Sequence, residues 1–302
     1  MEHCALMEQH GCITQSARVQ GVAAPLHYRE QLVVFDSLAY FIQNPLTYYP
    51  ETTNFDPIAF AYEASCEYLD TKFSEWGIFP NITARKIGCR VDDSLPERTK
   101  RESHIYICIQ DPKKMHPSFD PILAGIIRRD PNAKILVDHR MPSLIPRWLI
   151  SLNITEKEIM ERFIFVPRLK HQEYLQLVAL SSVFLNTFPF GAGVTSSEAI
   201  ALGVPVVVYA ETSSVINLAM AQVRALGDPW PRELIVQTVE AYVNRVIEIT
   251  RLDSMSSDAG AWNSNGLRRF REALYRSSVR LHGPEPLAAA AAEWGYFLKR
   301  VV

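Results

Sequence analysis

The chain has 302 residues, of which 48% are hydrophobic and 21% are charged, enough for one large domain or two modest ones. This composition is that of a globular protein with a hydrophobic core, and it excludes a disordered chain. With 31 Lys and Arg residues against 33 Asp and Glu residues, the formal net charge is −2, which argues against a general nucleic-acid binder. No stretch approaches the ~20 apolar residues of a membrane span. Neither nucleic acid nor a membrane span is therefore expected.

Five cysteines are scattered along the chain, and none of them forms a C-x-x-C pair. Such spacing disfavours both a structural zinc site and a disulfide framework. The N-terminal sequence, MEHCALMEQHGC, is polar and unlike a signal peptide. We therefore expect a cytoplasmic protein that works in a reducing, intracellular setting, with no bound metal.

Residues 1–100 are expected to form a diverged or partial N-terminal region. Their apolar residues fall in irregular clusters that prolines interrupt. One strand is predicted at residues 31–35 (QLVVF), and one helix is predicted over residues 56–76. Residues 92–103 (DDSLPERTKRES) are charged and lack periodicity, which is typical of a linker.

Residues 101–302 are predicted to form a Rossmann-like domain with C-terminal helices. Short β-branched runs predict five strands that are buried on both faces, as in a parallel sheet. These runs lie at residues 104–109, 134–138, 162–166, 182–187 and 205–209. Helices are predicted between them over residues 118–130, 154–161, 171–180 and 195–202. Strand–helix alternation predicts βαβ units in one parallel sheet, with the first, third and fourth strands ending on a shared crevice.

The chain beyond residue 212 is predicted to be helical. Apolar residues recur at helical spacing from Ile235 to Ile249, so a helix over residues 231–251 should lay one face against the sheet. Two more helices are predicted at about residues 264–281 and 284–300. The fold class is therefore α/β.

The segment that follows the fourth predicted strand is the first candidate ligand site. Ligands of open α/β sheets bind beyond the carboxyl ends of the strands, near helix N-termini. Here Gly191 and Gly193 precede a helix that is predicted to begin at Thr195. Small residues let backbone N–H groups approach a ligand, and a helix N-terminus attracts negative charge. The segment therefore suits a phosphate or diphosphate.

Glu198 lies one turn into this helix, where its carboxylate could accept both hydroxyl groups of a ribose. The same stretch, from Thr195 to Glu198, is also an S/T-x-x-E sequence, which is typical of a capping box. Gly203 and Pro205 then suit the end of the helix. Ligand binding and helix capping are both open for this segment.

Two other loops place polar residues at the carboxyl ends of predicted strands. Lys113 and Lys114 follow the first strand in QDPKKMHP, where a lysine could neutralise a departing diphosphate or could simply be solvated. Arg168 and His171 follow the third strand in VPRLKHQEYLQLV. Tyr174, in the same stretch, could stack on a base or could be a buried aromatic residue of an amphipathic helix.

Taken in this order, the three loops resemble the C-terminal, nucleotide-sugar half of the O-linked N-acetylglucosamine transferase family (glycosyltransferase family 41). That family also holds bacterial adhesin N-glycosyltransferases and plant SPINDLY-type O-fucosyltransferases. FLNTFPFG at residues 184–191 is similar to FLNPFPFG of the adhesin enzymes, and EAIALGVPVVV at 198–208 is similar to (D/E)-A-L-x-x-G-V-P-V-V-T. Lys114 to Pro117 fits the family pattern K-I-x-P. The resemblance covers about residues 103–250.

The resemblance implies a fold and an activity. Residues 101–302 would be the C-terminal half of a GT-B fold. The expected activity is metal-independent, inverting transfer of a sugar, GlcNAc or another hexose, from a UDP-sugar to a protein or peptide acceptor at Ser/Thr or Asn. The UDP-sugar is the donor substrate, and no cofactor is implied.

The resemblance also implies roles for individual residues. Lys114 would contact the diphosphate as the catalytic residue, with Lys113 as the adjacent alternative, while Glu198 would hold the ribose and Tyr174 would lie beside the base. The amides of residues 191–196 would stabilise the leaving diphosphate. The full donor-binding set is Lys113, Arg168, His171, Tyr174, Gly191, Gly193, Val194, Thr195, Ser196 and Glu198.

Two features differ from the family pattern. Gly193-Val194 stands where the family often has Thr, His or Asn, and residues 1–100 contain no G-H-P-x-T-T-G-like stretch. Three interpretations follow: a transferase with a reduced N-terminal region, a part of a longer transferase, or a non-catalytic sugar-nucleotide-binding module. The sequence leaves open the donor (UDP-GlcNAc, UDP-glucose or GDP-fucose), the acceptor, the catalytic base and the oligomeric state.

Overall fold

The computed structural model describes residues 44–47, 55–78, 82–83, 104–210, 217–252 and 266–301. The predicted strand at residues 31–35 and the predicted linker at residues 92–103 lie outside this part of the chain. Within the described residues, one sheet is flanked by helices.

The sheet has six strands, and every pair of neighbours is parallel. The strands are β1 His104–Cys108, β2 Ala133–Asp138, β3 Phe163–Val166, β4 Val183–Leu185, β5 Val206–Tyr209 and β6 Ile235–Val236. They are hydrogen-bonded in the order β3-β2-β1-β4-β5-β6, which is the Rossmann order. The predicted α/β fold with a Rossmann-like parallel sheet is therefore confirmed, with one strand more than expected.

Thirteen α-helices lie in the described part of the chain. They are α1 Pro57–Glu63, α2 Cys66–Glu75, α3 Asp120–Arg129, α4 Ile145–Ser151, α5 Glu156–Arg162, α6 His171–Leu180, α7 Val194–Ala201, α8 Leu218–Ala225, α9 Trp230–Leu234, α10 Val239–Arg251, α11 Gly266–Ser277, α12 Val279–His282 and α13 Pro284–Val301. Short 3-10 segments lie at Pro45–Thr47, Pro112–Lys114, Pro117–Phe119 and Met141–Leu144.

The helix predicted over residues 231–251 is interrupted by a strand. Ile235 and Val236 form β6, which pairs with Val208 and Tyr209 of β5. The β-branched side chains of Ile235 and Val236 fit the sheet edge, and pairing there outweighs the helical periodicity. Helix α10 then begins after Thr238, whose side chain accepts a hydrogen bond from the Ala241 amide.

The helix predicted over residues 56–76 is also two helices. Ser65 caps the start of α2 by accepting a hydrogen bond from the Tyr68 amide, and Ala64 before it is extended, with ψ 134°. A capping serine offers the backbone an alternative to continuing the first helix. The helix predicted over residues 264–281 is also two helices, because α11 ends at Ser277 and α12 begins at Val279.

The helices cover both faces of the sheet. Because β-α-β crossovers are right-handed, α3 (from β1 to β2) and α7 (from β4 to β5) lie on opposite faces. Helix α10 packs on α3, where an added Cβ at Gly125 would lie only 2.7 Å from Val243 Cγ2. From the N-terminal region, buried Phe73 of α2 and Trp76, the C-cap of α2, join the same hydrophobic core.

The cysteines are in two different states. Cys66 is disulfide-bonded, which the scattered spacing of the cysteines did not predict. Cys108 is a free thiol in the core, and burial raises its pKa to about 12. Among the described residues, no helix combines the length and the apolar character that crossing a membrane requires.

Candidate functional site

The loops after β1 and β4 meet where the strand order reverses. β1 and β4 are neighbours, with Tyr106 opposite Val183 and Ile107 opposite Phe184. Because the two strands are parallel, their carboxyl ends lie at the same edge of the sheet. The chain leaves β1 and β4 toward opposite faces, so a crevice opens between the two loops. The structure therefore brings together two loops that are far apart in sequence.

Lys114 connects these two loops. Its Nζ donates to the backbone oxygen of Gly191 at 3.1 Å, lies 3.4 Å from Gln110 Oε1, and is 4.9 Å from the centre of the Phe190 ring. Partial burial lowers the pKa of the Lys114 ammonium, and the charge of Asp111 opposes that shift. An ammonium that neutral acceptors hold, partly out of water, would gain from an anion in the crevice.

Lys113 points to a different environment. The Asp111 side chain caps the 3-10 segment Pro112–Lys114 by accepting a hydrogen bond from the Lys113 amide at 3.0 Å. The other Asp111 oxygen accepts from Arg140 Nη1 at 3.1 Å. Lys113 is exposed, whereas Lys114 is half-buried against the loop after β4. This turn therefore directs Lys114, rather than Lys113, to the crevice.

The N-terminus of α7 is the second element of the crevice. The helix begins at Val194 with Gly193 as its N-cap, and no side chain caps it. Its first backbone hydrogen bond runs from the Ser197 amide to Gly193 O at 3.3 Å. The amides of Val194, Thr195 and Ser196 therefore have no partner within the helix. They and the helix dipole form a positive end that favours an anion.

The capping-box interpretation of Thr195 and Glu198 is wrong. The helix begins one residue before the expected position, so Thr195 is its second residue rather than its cap. Thr195 Oγ1 is instead 3.4 Å from Gln110 Nε2, on the β1 side of the crevice. Glu198 turns away from the helix start and contacts His171.

Glu198 and His171 join the loop after β3 to this helix. Glu198 Oε1 lies 2.6 Å from His171 Nε2, and the glutamate is only 5% exposed. Burial raises the pKa of the Glu198 carboxyl, and the contact with His171 opposes that rise. The pair therefore holds a carboxylate in a site that disfavours its charge.

Tyr174 lies beside this pair. Its ring is nearly parallel to the ring of His171, with an interplanar angle of 14° and 6.4 Å between centroids. The Tyr174 hydroxyl is buried and has no hydrogen-bond partner among the described residues. Arg168 is exposed, and no hydrogen bond in the described structure joins it to the other predicted site residues. The structure thus groups His171, Tyr174 and Glu198, and leaves Arg168 at the periphery.

Three buried side-chain amides lie around the crevice and were not predicted from the sequence. Gln110 is 3% exposed and lies between Lys114 and Thr195, while Asn186 and Gln222 are 2% and 1% exposed and bond to the loop after β4. Each stands as a polar residue within an apolar stretch of sequence. That pattern could have marked them, because a buried polar side chain requires hydrogen-bond partners.

No protein-family model and no curated protein matches the sequence. A solved mutant of O-GlcNAc transferase from Thermobaculum terrenum superposes with a TM-score of 0.52 at 22% identity. The chain has a glycosyltransferase fold. The match covers 69% of this chain, which spans only 38% of the transferase.

Two other solved structures match this glycosyltransferase fold less closely. A glycosyltransferase from Rickettsia africae has a TM-score of 0.46 at 12% identity, covering 81% of this chain and 54% of that one. The C-terminal domain of a group 1 family glycosyl transferase (LpcC) from Francisella tularensis has a TM-score of 0.40 at 12% identity, covering 74% and 95%. The resemblance that the sequence motifs indicated is confirmed at the level of the fold by the O-GlcNAc transferase structure.

Proposed function

We propose that this chain binds a UDP-sugar in the crevice between the β1 and β4 loops and transfers its sugar to a protein side chain, Ser/Thr or Asn. The observation that carries this proposal is the position of Lys114. Its ammonium lies against Gly191 at the uncapped N-terminus of α7, although the two residues are 77 positions apart in sequence.

Diphosphate binding is supported by the charges at this point. The ammonium and the amides of Val194, Thr195 and Ser196 all present hydrogen atoms, and each needs an acceptor that the protein does not supply in full. A diphosphate carries several acceptor oxygens and negative charge, so it would satisfy both groups together. Gln110, between Lys114 and Thr195, would hold the two donors at a fixed separation.

Nucleoside binding is supported by the second group of residues. The Glu198 carboxylate would accept hydrogen bonds from the 2′- and 3′-hydroxyls of the ribose, which would compensate for the cost of its burial. The neighbouring, nearly parallel rings of His171 and Tyr174 would offer an aromatic face against which a base can stack.

The proposed chemistry is a single displacement without a metal. The acceptor side chain attacks the anomeric carbon and forms the new bond there, while the bond from that carbon to the diphosphate oxygen breaks. The electron pair of the broken bond leaves with the diphosphate, and the proton of the acceptor is released to water. Lys114 and the α7 amides stabilise the negative charge that develops on the leaving diphosphate. Transfer from the opposite face of the sugar inverts the configuration at the anomeric carbon.

A binding and turnover experiment tests this proposal. Lys114→Ala should weaken UDP binding by about 1–3 kcal/mol in calorimetry, since it removes a charge-assisted contact. It should also reduce transfer or hydrolysis of a labelled UDP-sugar. A thermal-shift panel with UDP-GlcNAc, UDP-glucose and GDP-fucose would select the donor, because a bound ligand stabilises the folded chain by RT ln(1 + [L]/Kd).

Lys113→Ala is the matched control, because it removes the same charge from the adjacent, exposed position. It should leave UDP affinity nearly unchanged. Equal affinities of the Lys114→Ala chain and the parent for UDP would remove Lys114 from the site. If the parent bound none of the nucleotides, the proposed function itself would be wrong.

A second candidate, a non-catalytic sugar-nucleotide-binding module, is favoured by one observation. The chain spans only 38% of the length of the O-GlcNAc transferase that it matches. UDP binding that depends on Lys114, without transfer or hydrolysis, would support this alternative or a chain that acts within a longer transferase.

A further inference from the structure

We propose that Asn186 and Gln222 are positioning residues that clamp the loop after β4 and aim its amides at the diphosphate. This inference rests on the proposed function, because it assigns to these residues the preorganisation of the same diphosphate site. The two side chains hold opposite ends of the short segment Ala192–Gly193. Neither is itself expected to touch the substrate.

Asn186 holds the Ala192 end of the segment. Its Oδ1 accepts the Ala192 amide at 2.7 Å, and its side chain fills the space beside Gly191. An added Cβ at Gly191 would lie 2.7 Å from Asn186 Nδ2, so only glycine fits at that position. The Asn186 backbone oxygen in turn accepts from the Tyr242 hydroxyl of α10 at 3.2 Å. The asparagine is therefore anchored to the helix layer behind the sheet.

Gln222 holds the Gly193 end from the other side. Its Nε2 donates to Gly193 O at 2.8 Å, and its Oε1 lies 2.7 Å from Ser196 Oγ. Ser196 Oγ also lies 2.9 Å from Gly193 O, which closes a small network around the first turn of α7. An added Cβ at Gly193 would lie 2.8 Å from Leu218 Cδ1, so α8 packs directly on this point.

The clamp leaves some backbone amides of this loop bonded within the protein and others free to bind a ligand. Because Asn186 occupies the Ala192 amide, that group is withdrawn from the crevice. The amides of Val194, Thr195 and Ser196 remain available to a ligand. Gln222 fixes the backbone oxygen of Gly193, the residue that directly precedes them. Donors that are already fixed lose no freedom when the anion binds, so rigidity here increases affinity for the diphosphate alone.

The first test compares UDP with uridine in calorimetry on the full chain. Asn186→Leu and Gln222→Met replace each amide by an apolar side chain of similar size. Both variants should lose about three- to tenfold in UDP affinity, as expected for one lost hydrogen bond, with uridine affinity unchanged. Thr250→Val is the matched control: it removes a buried hydroxyl that bonds to Tyr106 at 3.2 Å, away from the crevice. It should leave the ratio of the two affinities as in the parent.

The second test uses the parent chain and so does not depend on the variants folding. Hydrogen exchange should show the Ala192 amide protected before any ligand is added. The Val194 and Thr195 amides should gain protection with UDP and not with uridine. Rapid exchange at Ala192, or variants with the parental ratio of UDP to uridine affinity, would overturn the clamp. A parent that binds neither ligand would instead contradict the proposed function.

Discussion

At the scale of single residues, Glu198 combines burial with charge. Its carboxylate is removed from water, and the contact with His171 opposes only part of the resulting rise in its pKa. Such a group costs stability when it is ionised, and it is retained where a ligand uses the charge. Glutamine has the same shape without the charge, so Glu198→Gln separates the effect of the charge on stability from its effect on ligand binding.

Glu198→Gln should change the dependence of stability on pH. Because the pKa of Glu198 is raised in the fold, its contribution is present below the ordinary value of 4.5 and is lost as pH rises through the raised value. The variant lacks this loss. Its free energy of unfolding should therefore rise relative to the parent as pH increases above the ordinary Glu pKa of 4.5, as urea unfolding would measure. The opposite trend would mean that the attraction to His171 exceeds the cost of burial.

The same substitution should weaken nucleotide binding. Glu198→Gln should reduce UDP affinity about tenfold, since two charge-assisted hydrogen bonds to the ribose become neutral ones. The difference between variant and parent should shrink for 2′,3′-dideoxy UDP, which offers no hydroxyl groups. Calorimetry with both nucleotides checks this, and equal loss for both would place the ribose elsewhere.

Much of the candidate site could be predicted from residue type and position. Lys114, Gly193 and Glu198 stand directly after strands or at a helix start, so their proximity follows from the parallel sheet. The contact between Glu198 and His171 was harder to predict, because the two residues lie 27 positions apart and on different helices, α7 and α6. Asn186 and Gln222 were missed for the same reason: their role lies in contacts that no local pattern records.

At the scale of elements, the close packing of α3 on α10 predicts that Gly125 cannot be replaced by a larger residue without loss of stability. An alanine there would gain up to about 1 kcal/mol of helix propensity but would overpack against Val243, at a cost of about 1–3 kcal/mol. An added Cβ would lie 2.7 and 3.0 Å from the two Val243 methyl carbons. We therefore expect Gly125→Ala to destabilise the chain in urea unfolding.

Two further variants control this prediction. Gly295→Ala, in α13, meets no atom within 4 Å and should stabilise by up to about 1 kcal/mol. Val243→Ala should relieve the clash, so the double variant with Gly125→Ala should be more stable than the sum of the single losses allows. Strictly additive losses would show that the two helices do not contact as described.

Element boundaries followed from sequence where a single local signal acts. The helix over residues 171–180 is confirmed, and the helix predicted from residue 284 begins there. Prediction was wrong where two signals compete, as at Ile235 and Val236, whose spacing is helical but whose side chains favour a strand. Pairing with β5 decides between them, and that contact is not visible in a window of sequence.

At the scale of the whole molecule, the sheet order could be predicted as a class but not in detail. Alternating strands and helices indicate a doubly wound sheet, because each crossover is right-handed and short. The packing of α1 and α2 on this layer was not predicted. Phe73 of α2 is buried in the same core as the strands and Phe60 of α1 packs against it, although both residues precede β1 by tens of residues. Hydrophobic contacts over such separations leave no periodic trace in the sequence.

The strand order has a consequence for how the crevice comes into being during synthesis. β1, β2 and β3 leave the ribosome in turn and can pair locally, but the other wall of the crevice follows only with β4 and α7. Lys114 and Gly191 are separated by 77 residues, so at 5–20 residues per second the lysine waits about 4–15 s for its partner. Throughout that interval the nascent chain lacks one side of the crevice. Any ligand that bridges the two loops can therefore stabilise this protein only after β4 and α7 have been synthesised.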